Sequence, residues 1–211
     1  MTALSLVGAH RTGKTTLAKA YALKSGARFL ETSVSAINKE FGFDLSKEHS
    51  FAERLDHQER ILTRIDAIYA ECAGEDFVTD RSPIDMLAYT MAEAYGDRVA
   101  PEDQERFAHY VQRCIEVTNR RFGVLVLVQP GIPIVAEEGK AVANAAYMEQ
   151  LNSICLGLTA DERVKPIHFY IPRKTLSVNE RVEAIEFAVG RAQARTMQII
   201  QAERTEGLLL H

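Results

Sequence analysis

The sequence predicts an α/β three-layer sandwich, a five-stranded parallel sheet with helices on both faces and a lid loop, in one domain over residues 1–211. Three observations carry this expectation. Short apolar segments alternate with longer amphipathic ones along the whole chain. Val124 to Val128 (VLVLV) is apolar throughout, the pattern of a strand covered on both faces. Leu4 to Leu17 (LSLVGAHRTGKTTL) passes from an apolar strand through a glycine loop into a helix.

Taken in order, Leu4, Leu6 and Val7 make the first strand, and Leu17, Ala18, Ala20, Tyr21 and Leu23 the first helix. Ala27 to Glu31 reads as a second strand. Val34 to Phe41 reads as a helix, with Gly42 as its cap. Phe51, Leu55, Leu62, Ile65, Tyr69 and Cys72 recur at helical spacing and predict a long amphipathic helix ending near Gly74. Asp76 to Arg81 (DFVTDR) is a third strand that runs into charge. Ser82-Pro83-Ile84-Asp85 then starts a helix: Ser82 caps it, Pro83 takes the first helical position and Asp85 closes a capping box. Pro101 opens another helix that runs up to Gly123. Gln129 to Ala141 is a loop with two prolines and two glycines, and the lid is expected at 129–146. A helix over Asn144 to Leu158, a fifth strand over Pro166 to Ile171 and a final helix from a box at Ser177–Glu180 to about Arg204 complete the reading. That last helix either packs in a homodimer or closes the sheet.

Ligands of open parallel sheets sit beyond the carboxyl ends of the strands. The first such place holds Gly8, four free positions and then Gly13-Lys14-Thr15, a complete P-loop, so the expected fold is that of a P-loop NTPase. The glycines let successive N–H groups turn inward, and the helix beginning near Lys14 adds its positive end. In this arrangement Lys14 reaches the β- and γ-phosphates of ATP and the Thr15 hydroxyl holds Mg²⁺. Gly8, His10, Arg11, Thr12, Gly13, Lys14, Thr15 and Thr16 form the expected nucleotide-binding set. Within it Thr16 reads as a second helical Thr, and Arg11 either touches phosphate or stays in solvent. At the other strand ends stand Asp80 for the metal, Arg81 for an acidic group or a substrate phosphate, and Glu31 to accept the proton of an attacking hydroxyl. Lys140 is the single cation of the lid loop, beside Glu137 and Glu138, and Arg173 follows the fifth strand near the expected adenine position. Phe41, Phe43, Phe51 and Tyr89 offer flat surfaces for a nucleobase or fill the core.

Composition narrows the field. A formal net charge of −4 and a pI of about 5.9 speak against a broad nucleic-acid footprint, though not against a local basic groove at Lys24, Arg28 and Lys39. Cys72, Cys114 and Cys155 are few, scattered and without a CxxC pair, which fits buried thiols in a reducing cytoplasm. No apolar run approaches membrane length, no leader precedes the first strand, and the histidines lack the spacing of a zinc site.

The Gly8–Thr15 loop, the strand-end Glu31 and the Asp80-Arg81-Ser82 helix start together resemble the P-loop nucleoside and nucleotide kinases, in layout over residues 4 to 172. The resemblance to deoxynucleoside kinases implies Lys14 and Thr15 on ATP and Mg²⁺, Glu31 as base, Asp80 near the metal and Arg81 near the acceptor. Phe77 to Tyr89 (FVTDRSPIDMLAY) is similar to a segment of nicotinamide riboside kinases, whose proline-containing lid implies a catalytic place for Lys140. The lid departs from the deoxynucleoside kinases in lacking their arginine cluster, and the acid pair of motor ATPases is not found. Three functions follow. The first is a kinase for a nucleoside or nucleotide. The second, in the style of small bacteriophage kinases, acts on a hydroxyl within DNA such as that of 5-hydroxymethyluracil. The third is a regulatory nucleotide-binding ATPase.

Overall fold

Where the sequence is apolar without a break, the chain runs as an inner strand of a sheet, with a neighbour on each side. The computed structural model describes residues 2–44, 47–96, 98–133 and 144–209, with side chains as far as residue 201. The elements are β1 (Ala3–Val7), α1 (Lys14–Ser25), β2 (Arg28–Leu30), α2 (Val34–Glu40), α3 (Phe51–Ala70), β3 (Phe77–Thr79), α4 (Pro83–Glu93), α5 (Pro101–Arg121), β4 (Val124–Val128), α6 (Ala145–Thr159), β5 (Ile167–Ile171) and α7 (Val178–Leu209). All strand pairs are parallel, in the order β2-β3-β1-β4-β5, so the expected fold class is the one found.

Period-two alternation divides the interior into two cores. Leu4, Leu6, Val124, Val126 and Val128 face α1 and α7, where they meet Leu17, Tyr21, Val182, Ile185 and Val189. Val7, Leu125 and Leu127 face the opposite layer, with Leu62, Ile65, Leu87, Ile115 and Leu151 from α3 to α6. Full burial of one such aliphatic side chain is worth about 1.5–3 kcal/mol. The edge strand β5 alternates instead, with Tyr170 exposed and Ile171 buried, because only one neighbour and one helical layer cover it. The first half of α7 therefore closes the sheet, while Met197, Ile199 and Ile200 further along it are exposed.

The sequence marks most helix ends through its caps. Ser82 accepts from the Asp85 N–H, and Asp85 accepts from the Ser82 N–H, which closes the expected box. Asn144 caps α6, so the stretch expected as lid gives way to helix at Ala145. The β2 and β3 strands are shorter than the sequence pattern suggested. Beyond Thr79 the Arg81 N–H turns to the Thr79 hydroxyl (3.4 Å), which takes Asp80 and Arg81 out of the ladder and over the sheet's carboxyl edge.

Candidate active site

The loop between β1 and α1 is shaped by backbone geometry that side chains resist. Gly8 has φ 142°, and a Cβ there would meet the Val128 carbonyl oxygen at 2.7 Å. Gly13 (φ 83°) is left-handed at the N-cap of α1, as Arg11 (φ 59°) is within the loop. No side chain caps α1, and its first turn carries no acid. The first N–H groups of that helix are thus left for an outside acceptor, at the positive end of its dipole. The Thr12 hydroxyl turns back to the Ala9 carbonyl (3.0 Å) and is buried, so its part is to shape the loop. Thr16 is exposed on the first turn of α1.

Lys14 is buried and lies folded over the loop, its Nζ donating to the Gly8 (2.6 Å) and Ala9 (2.7 Å) carbonyls. Burial lowers its pKa, Asp85 counters, and Arg81 lowers it again. The Thr15 hydroxyl donates to Asp80 Oδ2. The pairing of β1 with β3 makes this contact between residues far apart in the chain, bringing the end of β3 beside the first turn of α1. Two hard oxygen donors at the mouth of an anion cradle fit Mg²⁺, which keeps water and phosphate among its ligands. Among the described residues no three of His, Cys, Asp and Glu gather as a closed metal cage.

Arg81 stands next to Asp85, Tyr89 and Asp80. Burial alone would pull its guanidinium down, yet these neighbours raise its pKa overall. Its carbonyl is pinned by the Ser5 hydroxyl (2.9 Å) and the Tyr69 hydroxyl (3.0 Å). Tyr89 links this group to the loop, since its Oη accepts the His10 N–H (2.9 Å) and lies 3.2 Å from His10 Nδ1. Burial pushes the Tyr89 phenol up to about 12. Tyr147 on α6 completes an aromatic set, with ring centroids 5.9 Å from His10 and 6.2 Å from Tyr89.

Three residues of this site were not given their roles by the sequence reading. Asp85, expected only as a cap, also accepts the Gly8 N–H through Oδ1 at 2.7 Å and so holds the start of the loop. Tyr147 carried no local signal. Arg181 on α7 reaches the Thr12 carbonyl at 2.9 Å. The other expected residues divide. Glu31 follows β2 and is exposed. Arg173 is held by Glu149 on α6 in a two-pronged ion pair (2.5 and 2.7 Å). Lys140 and most of the expected lid lie outside the described residues, whereas the root of that loop places Ile132 Cδ1 3.2 Å from where a Gly13 Cβ would stand. Phe41, Phe43 and Phe51 are engaged elsewhere: Arg60 covers Phe41, Phe43 stacks with His49 and His57, and Phe51 packs edge-on against Phe107. Of the cations expected to form a basic groove, Lys24 pairs with Glu186 and Arg28 with Glu75. No helix among the described residues is long and apolar enough to cross a membrane.

Comparison with known proteins bears on the fold. A model of the ATPase family associated with various cellular activities (AAA) matches residues 4–99, less than half of the chain. No curated protein matches by sequence. Among solved structures, deoxyadenosine kinase from M. mycoides with dCMP and dCDP bound is similar at 15% identity and a TM-score of 0.62, over 90% of this chain and 99% of that one. Thymidylate kinase from Candida albicans is similar at 12% identity and a TM-score of 0.58, over 91% and 92%. The NadR protein in complex with NR is similar at 16% identity and a TM-score of 0.63, over 90% of this chain and 50% of that one. The chain has the α/β P-loop kinase fold.

Proposed function

We propose that this protein is a Mg²⁺-dependent kinase that transfers the γ-phosphate of ATP to a hydroxyl of a nucleoside or nucleotide. The observation that carries the reading is the contact of the Thr15 hydroxyl with Asp80 at the mouth of a cradle whose helix has neither a side-chain cap nor an acid in its first turn. A helix start kept free of carboxylates, with one acid held at its rim, suits a phosphate chain that arrives with its own cation.

The chain's residues then divide the work. Backbone N–H groups from Gly13 into the first turn of α1 hold the phosphates, while those of Gly8 and His10 stay with Asp85 and Tyr89, and Lys14 exchanges its loop carbonyls for phosphate oxygens. Thr15 and Asp80 would hold the Mg²⁺, which when bound offsets charge on the β- and γ-phosphates. Arg81, kept cationic by its acidic neighbours, faces the acceptor or the moving phosphoryl group. Tyr89 and Tyr147, set edge-on to each other beside His10, offer ring surface for the acceptor's base. The acceptor oxygen forms the new P–O bond as the bond to the β-phosphate oxygen breaks. Glu31 takes the hydroxyl proton and ADP leaves. Lys140 stabilises the transferring group if the lid brings it over the site. The solved kinases of this fold act as support for the reaction class, since one of them is described with dCMP and dCDP bound.

The test is transfer of labelled γ-phosphate from ATP to a panel of nucleosides, nucleoside monophosphates, nicotinamide riboside, and duplex DNA with and without 5-hydroxymethyluracil. Label on a small acceptor is the expected result. Label on DNA alone refutes the small-molecule acceptor, and free phosphate unchanged by every acceptor refutes the kinase reading in favour of a regulatory ATPase.

A further inference from the structure

Arg181 is buried, only 3% exposed, in the first turn of α7. Its Nε donates to the Thr175 carbonyl (2.7 Å) and its Nη1 to the Thr12 carbonyl (2.9 Å). Nη2 is buried with no hydrogen-bond partner among the described residues. Among the described residues no carboxylate pairs with this guanidinium, and burial lowers its pKa without any acid to oppose it. Its place also runs against the helix dipole, which disfavours a cation in a first turn. A buried cation held only by carbonyls is costly unless something supplies the missing negative charge.

Its position names the supplier. The Thr12 carbonyl and the Gly13 N–H belong to one peptide unit, and the chain has no cis peptide among the described residues. In a trans peptide these two groups point in opposite directions. Holding the carbonyl from α7 therefore aims the Gly13 N–H to the other side, into the concave face of the loop. A Cβ on Gly13 would stand only 3.6 Å from Nη1, so the charge sits directly behind the cradle.

We propose that Arg181 is a positioning residue for the phosphate cradle and its buried counter-cation, with the phosphates of the bound nucleotide as the anion that neutralises it. This inference rests on the kinase reading, and more narrowly on a nucleotide occupying the loop. It assigns α7, which carries no part of the sequence motif, a direct share in nucleotide affinity. It also gives a counter-charge to a buried guanidinium that no carboxylate among the described residues pairs.

The experiment compares the full-length wild type with R181M and R181K. Thermal melting without ligand is measured first, then binding of ATP, pyrophosphate and adenosine by calorimetry at a temperature where all three proteins are folded. For R181M the expected melting temperature of the empty protein stays close to wild type, because relief of the buried charge offsets two lost hydrogen bonds. Its affinity for ATP and for pyrophosphate falls roughly 10–100-fold, and that for adenosine is unchanged. R181K keeps the charge and recovers most of the pyrophosphate affinity. A merely structural brace gives the opposite pattern, a lower melting temperature with affinities unchanged in the folded protein, and that result overturns the inference. Equal loss in R181K and R181M overturns the counter-cation part. If R181M does not fold, R181Q takes its place: pyrophosphate affinity lowered about 10-fold or more with adenosine binding unchanged supports the proposal, and affinity equal to wild type refutes it. Failure of the wild type to bind ATP or pyrophosphate removes the cradle reading as well, whereas wild-type binding that R181M preserves refutes this inference only.

Discussion

Replacing Asp85 with Asn keeps the shape of a buried side chain and removes one of its two acceptor atoms. Oδ1 takes the Gly8 N–H at 2.7 Å, and Oδ2 takes the Ser82 N–H at 2.9 Å and the Ser82 hydroxyl at 3.1 Å. An Asn has a single acceptor oxygen and an NH₂ donor in the other place. One of the two backbone N–H groups must then face another donor. A stranded buried donor costs about 1–3 kcal/mol, and the lost charge-assisted bond costs a comparable amount. The burial that holds the Asp85 carboxyl above its ordinary value works in the other direction, because a neutral amide escapes that penalty. The net expectation is a loss of about 1–3 kcal/mol, or roughly 5 °C in melting temperature for a domain of this size. Ser82→Ala provides the control. It removes the cap, worth about 0.5–2 kcal/mol, but leaves the Gly8 anchor in place. Thermal and urea unfolding of the two variants, with ATP binding by calorimetry, separate cap from anchor. D85N should lose ATP affinity about tenfold or more, and S82A should keep it. A D85N protein that melts with wild type and binds ATP equally well would refute the claim that α4 holds the loop.

Other expectations follow from the same geometry. Lys14→Ala should abolish phosphoryl transfer while circular dichroism shows an intact fold, and full activity would sink the cradle assignment. Glu31→Gln should reduce turnover by roughly 10²–10⁴ with little change in ATP affinity if Glu31 is the base; an unchanged rate returns it to an exposed strand-end acid. Stability should fall on acidification below pH 6.5, since burial lowers the pKa of both His10 and His57 from that ordinary value. The unfolded chain then takes up protons first. The contribution of the neutral rings is full above 6.5 and is lost as the pH falls through their lowered folded values. Urea unfolding between pH 7.5 and 5 checks this, with a flatter profile in the His10→Gln, His57→Gln double variant and an identical slope as the contrary result.

Legibility in this chain follows the range of the interactions. Val124 to Val128 announces a two-sided strand because burial on both faces leaves no polar position, and Ser82-Pro83-Ile84-Asp85 announces a helix start because every partner of a cap lies within one turn. The Gly8–Thr15 loop is readable for the same reason, as its residues build one surface from consecutive backbone. The residues that tune the cradle come from farther away. Asp85 meets Gly8 across 77 positions, Tyr89 meets His10 across 79, and Arg181 meets Thr12 across 169. No local period encodes such meetings, yet two of the three leave a trace in the sequence as a local rule broken. Asp85 sits in a helical turn otherwise made of Pro, Ile, Met, Leu and Ala, where a buried carboxylate needs more partners than one cap supplies. Arg181 puts a cation into the first turn of α7, against the dipole. Tyr89 breaks no rule, because an aromatic in an apolar helix is satisfied by packing, and its hydroxyl's partner emerges only once α4 is laid beside the loop. The useful sequence signal for a remote member of a site is thus a residue that its own element does not want. By that measure the structure adds to the motif a second set, Asp85 and Arg181. These grip the loop from α4 and α7, one at the Gly8 N–H and one at the Thr12 carbonyl, so that the two sides of the cradle are fixed by helices in opposite layers of the sandwich.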